Sequence, residues 1–122
     1  MTVNNTYLAV FLGNRNGPRM AAWTALPEAS RREKELEGMA AWKAWMETNQ
    51  GRIEAIGGPL GKTKRVSGKG IEDVSNALSA FTVVKAESPE AAAKLFEGHP
   101  HFSIFPGEAI EIMPVLPIPG GG

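Results

Sequence analysis

The sequence contains no cysteine. That absence removes disulfides, thiolate zinc sites and a cysteine nucleophile together. Histidine is nearly as scarce: there are two, both in the segment His99-Pro100-His101, and none precedes it. Net charge is missing too. Thirteen basic residues balance thirteen acidic ones, so no global field draws the chain to nucleic acid or to an anionic membrane. The apolar run "YLAVFLG" near the N-terminus falls far short of the roughly 20 residues a membrane-spanning helix needs. No basic stretch precedes it, as a secretory signal would require. The expectation is a cytoplasmic protein with no nucleic-acid or membrane partner and no cofactor.

What is present suits a globular fold. Hydrophobic residues make up 43% of 122 residues and charged residues 21%, which is enough apolar matter for one core and too little chain for two. Residues 1–117 are read as a single domain and 118–122 as a flexible Gly/Pro tail.

Residues 6–12, "TYLAVFL", are rich in strand formers and apolar on both faces, the mark of a central strand; "GNRNGP" after them carries turn chemistry. The segment "PEASRREKELEGMAAWKAWMETNQGRIEAI", residues 27–56, places Met39, Trp42, Met46, Asn49, Ile53 and Ile56 at steps of three and four. That spacing predicts one long helix with an apolar stripe, with Trp45 beside it, Gly51 as the place for a bend or break, and Gly57-Gly58-Pro59 as its stop. "KTKRVSG" reads as an exposed strand and "SAFTVVKAE" as a better one. A helix capped by Ser88, opened by Pro89 and closed by Gly98 follows. The last strand is "AIEIMPVL", where Pro114 points to an edge position or a bulge. The order β-α-β-β-α-β predicts an α+β, ferredoxin-like domain: a four-stranded antiparallel sheet with two helices on one face. The other face needs cover, and a second copy of the chain would supply it.

One segment invites a different reading. "GGPLGKTK", residues 57–64, ends like the phosphate loop G-x-x-x-x-G-K-[ST]. The spacing fails, because the first glycine would have to stand at Ile56. The context fails as well, since a phosphate loop leads from a strand into a helix N-terminus, whereas this one is read as following a helix. Pro59 also removes a backbone donor. Nucleotide binding is therefore not expected.

Taken in order, "AWKAWMETNQGRIEAIGGPLG", "ALSAFTVVKAESPEAAAKLFEGHPHF" and "GEAIEIMPV" resemble the YCII-related family, including its DGPF-type branch. The resemblance covers nearly the whole chain. It implies a ferredoxin-like fold whose sheets pair as a dimeric α/β barrel, with a pocket between sheet and helices near the dimer interface. It also implies diverse roles. Some relatives are lyase-like or dehydrochlorinase-like enzymes, and DGPF-type relatives often occur alongside alternative sigma factors. This chain departs from the pattern in two places. Relatives proposed as enzymes offer a His–Asp pair with the histidine in the first half of the chain, where this sequence has none. The Asp-Gly-Pro-Phe box is replaced by Asp73-Val74-Ser75-Asn76.

The candidate site residues follow from these readings. His99 and His101 place two imidazoles on one loop, suited to general acid–base work near neutral pH or to metal ligation. Equally, a histidine just past a helix C-terminus favours the dipole and bonds the last carbonyls. Asp73, where relatives carry their acidic box, is the candidate orienting carboxylate or else a solvated loop side chain. Arg15 and Arg19 flank the first loop and suit an anionic ligand. Trp23, Trp42 and Trp45 are candidates to line a pocket for a flat ligand; Trp45 is the better placed of them, set against a plain core role for it and Trp42. Three functions are compatible with this set. The first is a homodimer binding a small aromatic or anionic molecule. The second is a small lyase or isomerase with a histidine base. The third is a protein-interaction module linked to transcription.

Overall fold

The computed structural model describes residues 5–119; of the tail, residues 120–122 lie outside them. The elements are β1 (Asn5–Leu12), α1 (Pro18–Ala25), α2 (Glu28–Asn49), β2 (Ile53–Pro59), β3 (Thr63–Ser67), β4 (Gly70–Val74), β5 (Leu78–Ala86), α3 (Pro89–Lys94), α4 (Pro100–Ser103) and β6 (Ala109–Pro114). A four-stranded antiparallel sheet in the order β2-β5-β1-β6 is the frame, and β3 with β4 forms a separate two-stranded sheet. Apart from that hairpin and the short α1 and α4, this is the ferredoxin-like arrangement the element order predicts.

Strand alternation sets the two faces of the sheet. On β1, Tyr7, Ala9 and Phe11 are fully buried and meet Val84 and Ala86 of β5 with Ala92 and Phe96. Trp42 and Trp45 of α2 pack onto the same cluster. Each large side chain buried there stabilises the fold by about 1.5–3 kcal/mol. The opposite face carries Leu8 and Val10, which lie opposite Val83 and Phe81 of β5 and opposite Met113 and Glu111 of β6. Ser88 caps α3 through its side chain, accepting from the Ala91 N–H at 3.0 Å, and β6 is an edge strand ending in Pro114. Both features match expectation.

The long helix is shorter than its spacing suggests. It ends at Asn49, and residues 53–59 form β2. Ile53 and Ile56 continue the helical spacing, yet their segment pairs with β5, Ile53 opposite Val84 and Gly58 opposite Phe81. Long-range pairing outweighs a local pattern that fits either state. Gly57-Gly58-Pro59 is therefore the end of a strand and not a helix stop. The register slips on either side of Ala55, and Gly57 takes φ +66°, open to glycine at little cost. A Cβ there would stand 2.0 Å from the Phe81 carbonyl oxygen.

Three further differences bear on the site. "KTKRVSG" does form a strand, but it pairs with β4 and not with the main sheet. Met39 is 64% exposed, and the residue of α2 that is buried is Gly38, under the Phe105 ring. Residues 18–25 form a helix that opens on Pro18, the position where proline's missing N–H does no harm.

Candidate functional site

Two linked features lie on the helix side of the sheet: a buried histidine cluster and an open cleft. His99 is the N-cap of α4, where its Nδ1 accepts the His101 N–H at 3.0 Å. That bond places the imidazole proton on Nε2, which is buried and has no hydrogen-bond partner among the described residues. The ring is boxed by aromatics: Trp42 at 4.5 Å, Trp45 at 4.8 Å, Phe11 at 5.2 Å and Phe96 at 6.0 Å between centroids. Trp42, Trp45 and Phe11 meet it edge-to-face, an arrangement in which a ring N–H finds a π face. Burial, with a smaller push from His101, lowers the His99 pKa from 6.5 to about 4, so the ring is neutral at neutral pH.

His101 sits beside it. Its Nε2 donates to the Leu12 carbonyl at 2.8 Å, at the end of β1. Gly107 lies flat against the ring, where a Cβ would come within 2.3 Å of Cε1 and Nε2. Burial lowers the pKa of His101, as does the charge of Arg19, against the pull of backbone carbonyls that raises it. Arg19, on α1, donates from Nε to the Gly107 carbonyl at 2.8 Å and from Nη2 to the Phe102 carbonyl. Its guanidinium thus ties α1 to α4 and to the end of the loop that follows it. His101 ties α4 to β1.

That loop forms one wall of the cleft. Arg19, Ala22 and Trp23 of α1, with Leu26 and Lys34, face Ile104, Phe105 and Pro106 across a volume of about 310 Å³. The Trp23 and Phe105 rings stand 5.8 Å apart, tilted by 48°. Phe105 also meets Trp42 at 6.1 Å, and Trp42 meets His99, so the cleft wall leans on the buried cluster.

His99, His101, Arg19 and Trp45 are thus brought into one neighbourhood; Asp73 and Arg15 are not. Asp73 lies on β4, paired with Lys64 of β3, and its side chain is 81% exposed. Arg15 is exposed in the turn before α1. Trp45 spends its indole N–H on the Leu95 carbonyl at 2.7 Å and packs on Phe96, so it is a wall of the core. The tryptophan that lines the cleft is Trp23. Sequence reasoning passed over Lys34 and Phe105, and the signal for them was thin. Lys34 is one of many charges in a polar stretch, and Phe105 matters only once α2 lies against its loop. No group of three or more His, Cys, Asp or Glu suited to a metal occurs among the described residues, and no helix there is long and apolar enough to cross a membrane.

No protein-family model and no curated protein matches the chain. Among solved structures it resembles the 5-chloro-2-hydroxyhydroquinone dehydrochlorinase TftG of Burkholderia phenoliruptrix AC1100, in complex with 2,5-dihydroxybenzoquinone. The TM-score is 0.51 at 18% identity, over 88% of this chain and 90% of that one. At that identity the likeness is one of fold, and the fold it shares is the ferredoxin-like α+β domain described above.

Proposed function

We propose that this chain is a YCII-related protein that works as a homodimer and binds a small aromatic or anionic molecule, and that the binding site is not a pocket between sheet and helices near the dimer interface but the cleft between α1, α2 and the 104–106 loop, whose lining contains no strand residue. The observation that carries the reading is the lining of the cleft: two aromatic rings, an apolar floor and two cations in one concavity. Ligand sites combine apolar walls with a few placed polar groups in this way. The fold neighbour TftG holds a single-ring quinone, a ligand of the size this cleft admits.

Binding is placed ahead of catalysis on the geometry of the histidines. The lone pair of His99 Nδ1 is taken by the His101 N–H, and its low pKa makes it a weak base at neutral pH. Asp73, the candidate partner, is held by Lys64 on the hairpin. The dimer reading rests on Leu8, Val10, Phe81, Val83 and Met113, which share the sheet face opposite the helix-packed core, Glu111 being the charged residue among them.

Titrating a panel of single-ring aromatics into labelled protein, followed by amide and indole NMR shifts, tests the binding. Shifts centred on Trp23 and Phe105 are expected. Ala22→Trp, which fills the cleft from an exposed helix position, is expected to abolish them. Shifts scattered elsewhere, or unchanged by that variant, would reject the cleft. Light scattering should report twice the 13.0 kDa chain mass, and a monomer at micromolar concentration would reject the dimer.

A further inference from the structure

We infer that the cleft selects aromatic molecules that also carry a negative charge, and that Lys34 is the residue that pairs with that charge. This rests on the binding reading above and narrows it from aromatic or anionic to both at once.

Three observations converge. First, a volume of about 310 Å³ lies at the lower end of ligand pockets, which suits one ring and a small substituent. Second, Trp23 and Phe105 pair with each other, centroids 5.8 Å apart and tilted by 48°, so together they form one aromatic wall of the cleft. A planar ligand laid against that wall meets a ring face or a ring edge, both favourable to aromatics. Third, the charges in the lining have one sign. Arg19 and Lys34 are cations, and none of the lining residues is an Asp or Glu.

The two cations are not equivalent. Arg19 has committed Nε and Nη2 to the Gly107 and Phe102 carbonyls, so its work is to position the wall that carries Phe105. Lys34 makes no hydrogen bond or ion pair among the described residues, where both ion pairs belong to the β3–β4 hairpin. Glu37 stands one turn further along α2 but does not pair with it. An ammonium free on the rim of an aromatic cleft has only solvent to lose when a carboxylate arrives.

The test compares benzoate with benzamide, two probes of nearly the same shape that differ in charge. Both are titrated into the intact protein at low salt, with Trp23 and Phe105 shifts as readout. Benzoate is expected to bind about threefold to fivefold more tightly, the range for a partly exposed charge pair, and the preference should shrink as salt is raised. Lys34→Gln should lower benzoate affinity to the benzamide level and leave benzamide unchanged. Arg19→Gln should weaken both probes together, because it loosens the wall. Equal binding of the two probes, or a Lys34→Gln variant that keeps the preference, overturns this inference and leaves the binding reading standing. Absence of any shift at the cleft with either probe overturns both.

Discussion

Lowering the pH should destabilise this protein through His99, and the size of the effect follows from where the ring sits. Its folded pKa is about 4 against 6.5 for the free side chain. As pH falls below 6.5 the unfolded chain takes up a proton that the folded chain refuses until about pH 4. In that window the unfolded state holds more protons, so stability rises with pH and is lost as pH falls. At about 1.4 kcal/mol per pH unit, the interval is worth about 3 kcal/mol. His101 is also lowered and adds in the same direction. The perturbation that isolates His99 is His99→Asn, because an asparagine oxygen still accepts the His101 N–H at the N-cap while the titrating ring is gone. The lost packing against Trp42, Trp45, Phe11 and Phe96 should make the variant about 1–3 kcal/mol less stable at neutral pH. Urea unfolding followed by tryptophan fluorescence, repeated from pH 7 down to pH 4, gives both profiles. Carboxylates titrate in both proteins and cancel in the difference. The wild-type advantage should shrink by about 3 kcal/mol on the way down and vanish or reverse near pH 4. Parallel profiles would refute the placement of a neutral, proton-refusing imidazole in this box.

Four further substitutions probe the fold and the geometry around the site. Gly57→Ala adds a Cβ 2.0 Å from a backbone oxygen at φ +66°; it should cost about 2–4 kcal/mol in urea unfolding, while Gly58→Ala, with open space around it, should fall within about 1 kcal/mol of wild type. Gly107→Ala drives a methyl into the His101 ring and should cost about 1–3 kcal/mol. It should also broaden the Phe105 signals, since the loop loses its hold on β1. Asp73→Ala removes an ion pair whose side chains are 70% and 81% exposed, so it should shift stability by less than about 1 kcal/mol and leave benzoate binding unchanged. A loss of binding in that variant would return Asp73 to the site.

The sheet was legible because each of its signals is local. "TYLAVFL" is an unbroken run of strand formers, apolar on both faces, Ser88-Pro89 opens the helix that follows β5, and Pro114 marks the edge strand. Strand β2 was not legible, because Ile53 and Ile56 satisfy helical spacing, and only β5, a strand about 25 residues downstream, selects the extended state. The hairpin escaped for the same reason. Lys64 and Arg65 look like a bare basic run until the register sets them across from Asp73 and Glu72.

The site shows the same division between composition and placement. That two histidines stand two residues apart is plain in the sequence, and so is their chemistry in water. Whether that chemistry survives depends on Trp42 and Trp45, more than fifty residues earlier, closing over His99, and on Gly107 pressing His101 against the end of β1. An imidazole in that setting is a neutral wedge. It fixes the loop that carries Phe105, and through Phe105 it shapes the cleft. The segment "GGPLGKTK" makes the complementary point. Its glycines suggest a phosphate cradle by composition, yet Gly57 is needed because β2 bulges against Phe81, and Lys64 is held by Asp73. Within the cleft, the cation without a hydrogen-bond or ion-pair partner among the described residues is Lys34, which sits in no motif. Its significance comes from the paired rings of Trp23 and Phe105 in the same cleft and the absence of a carboxylate among the residues lining it.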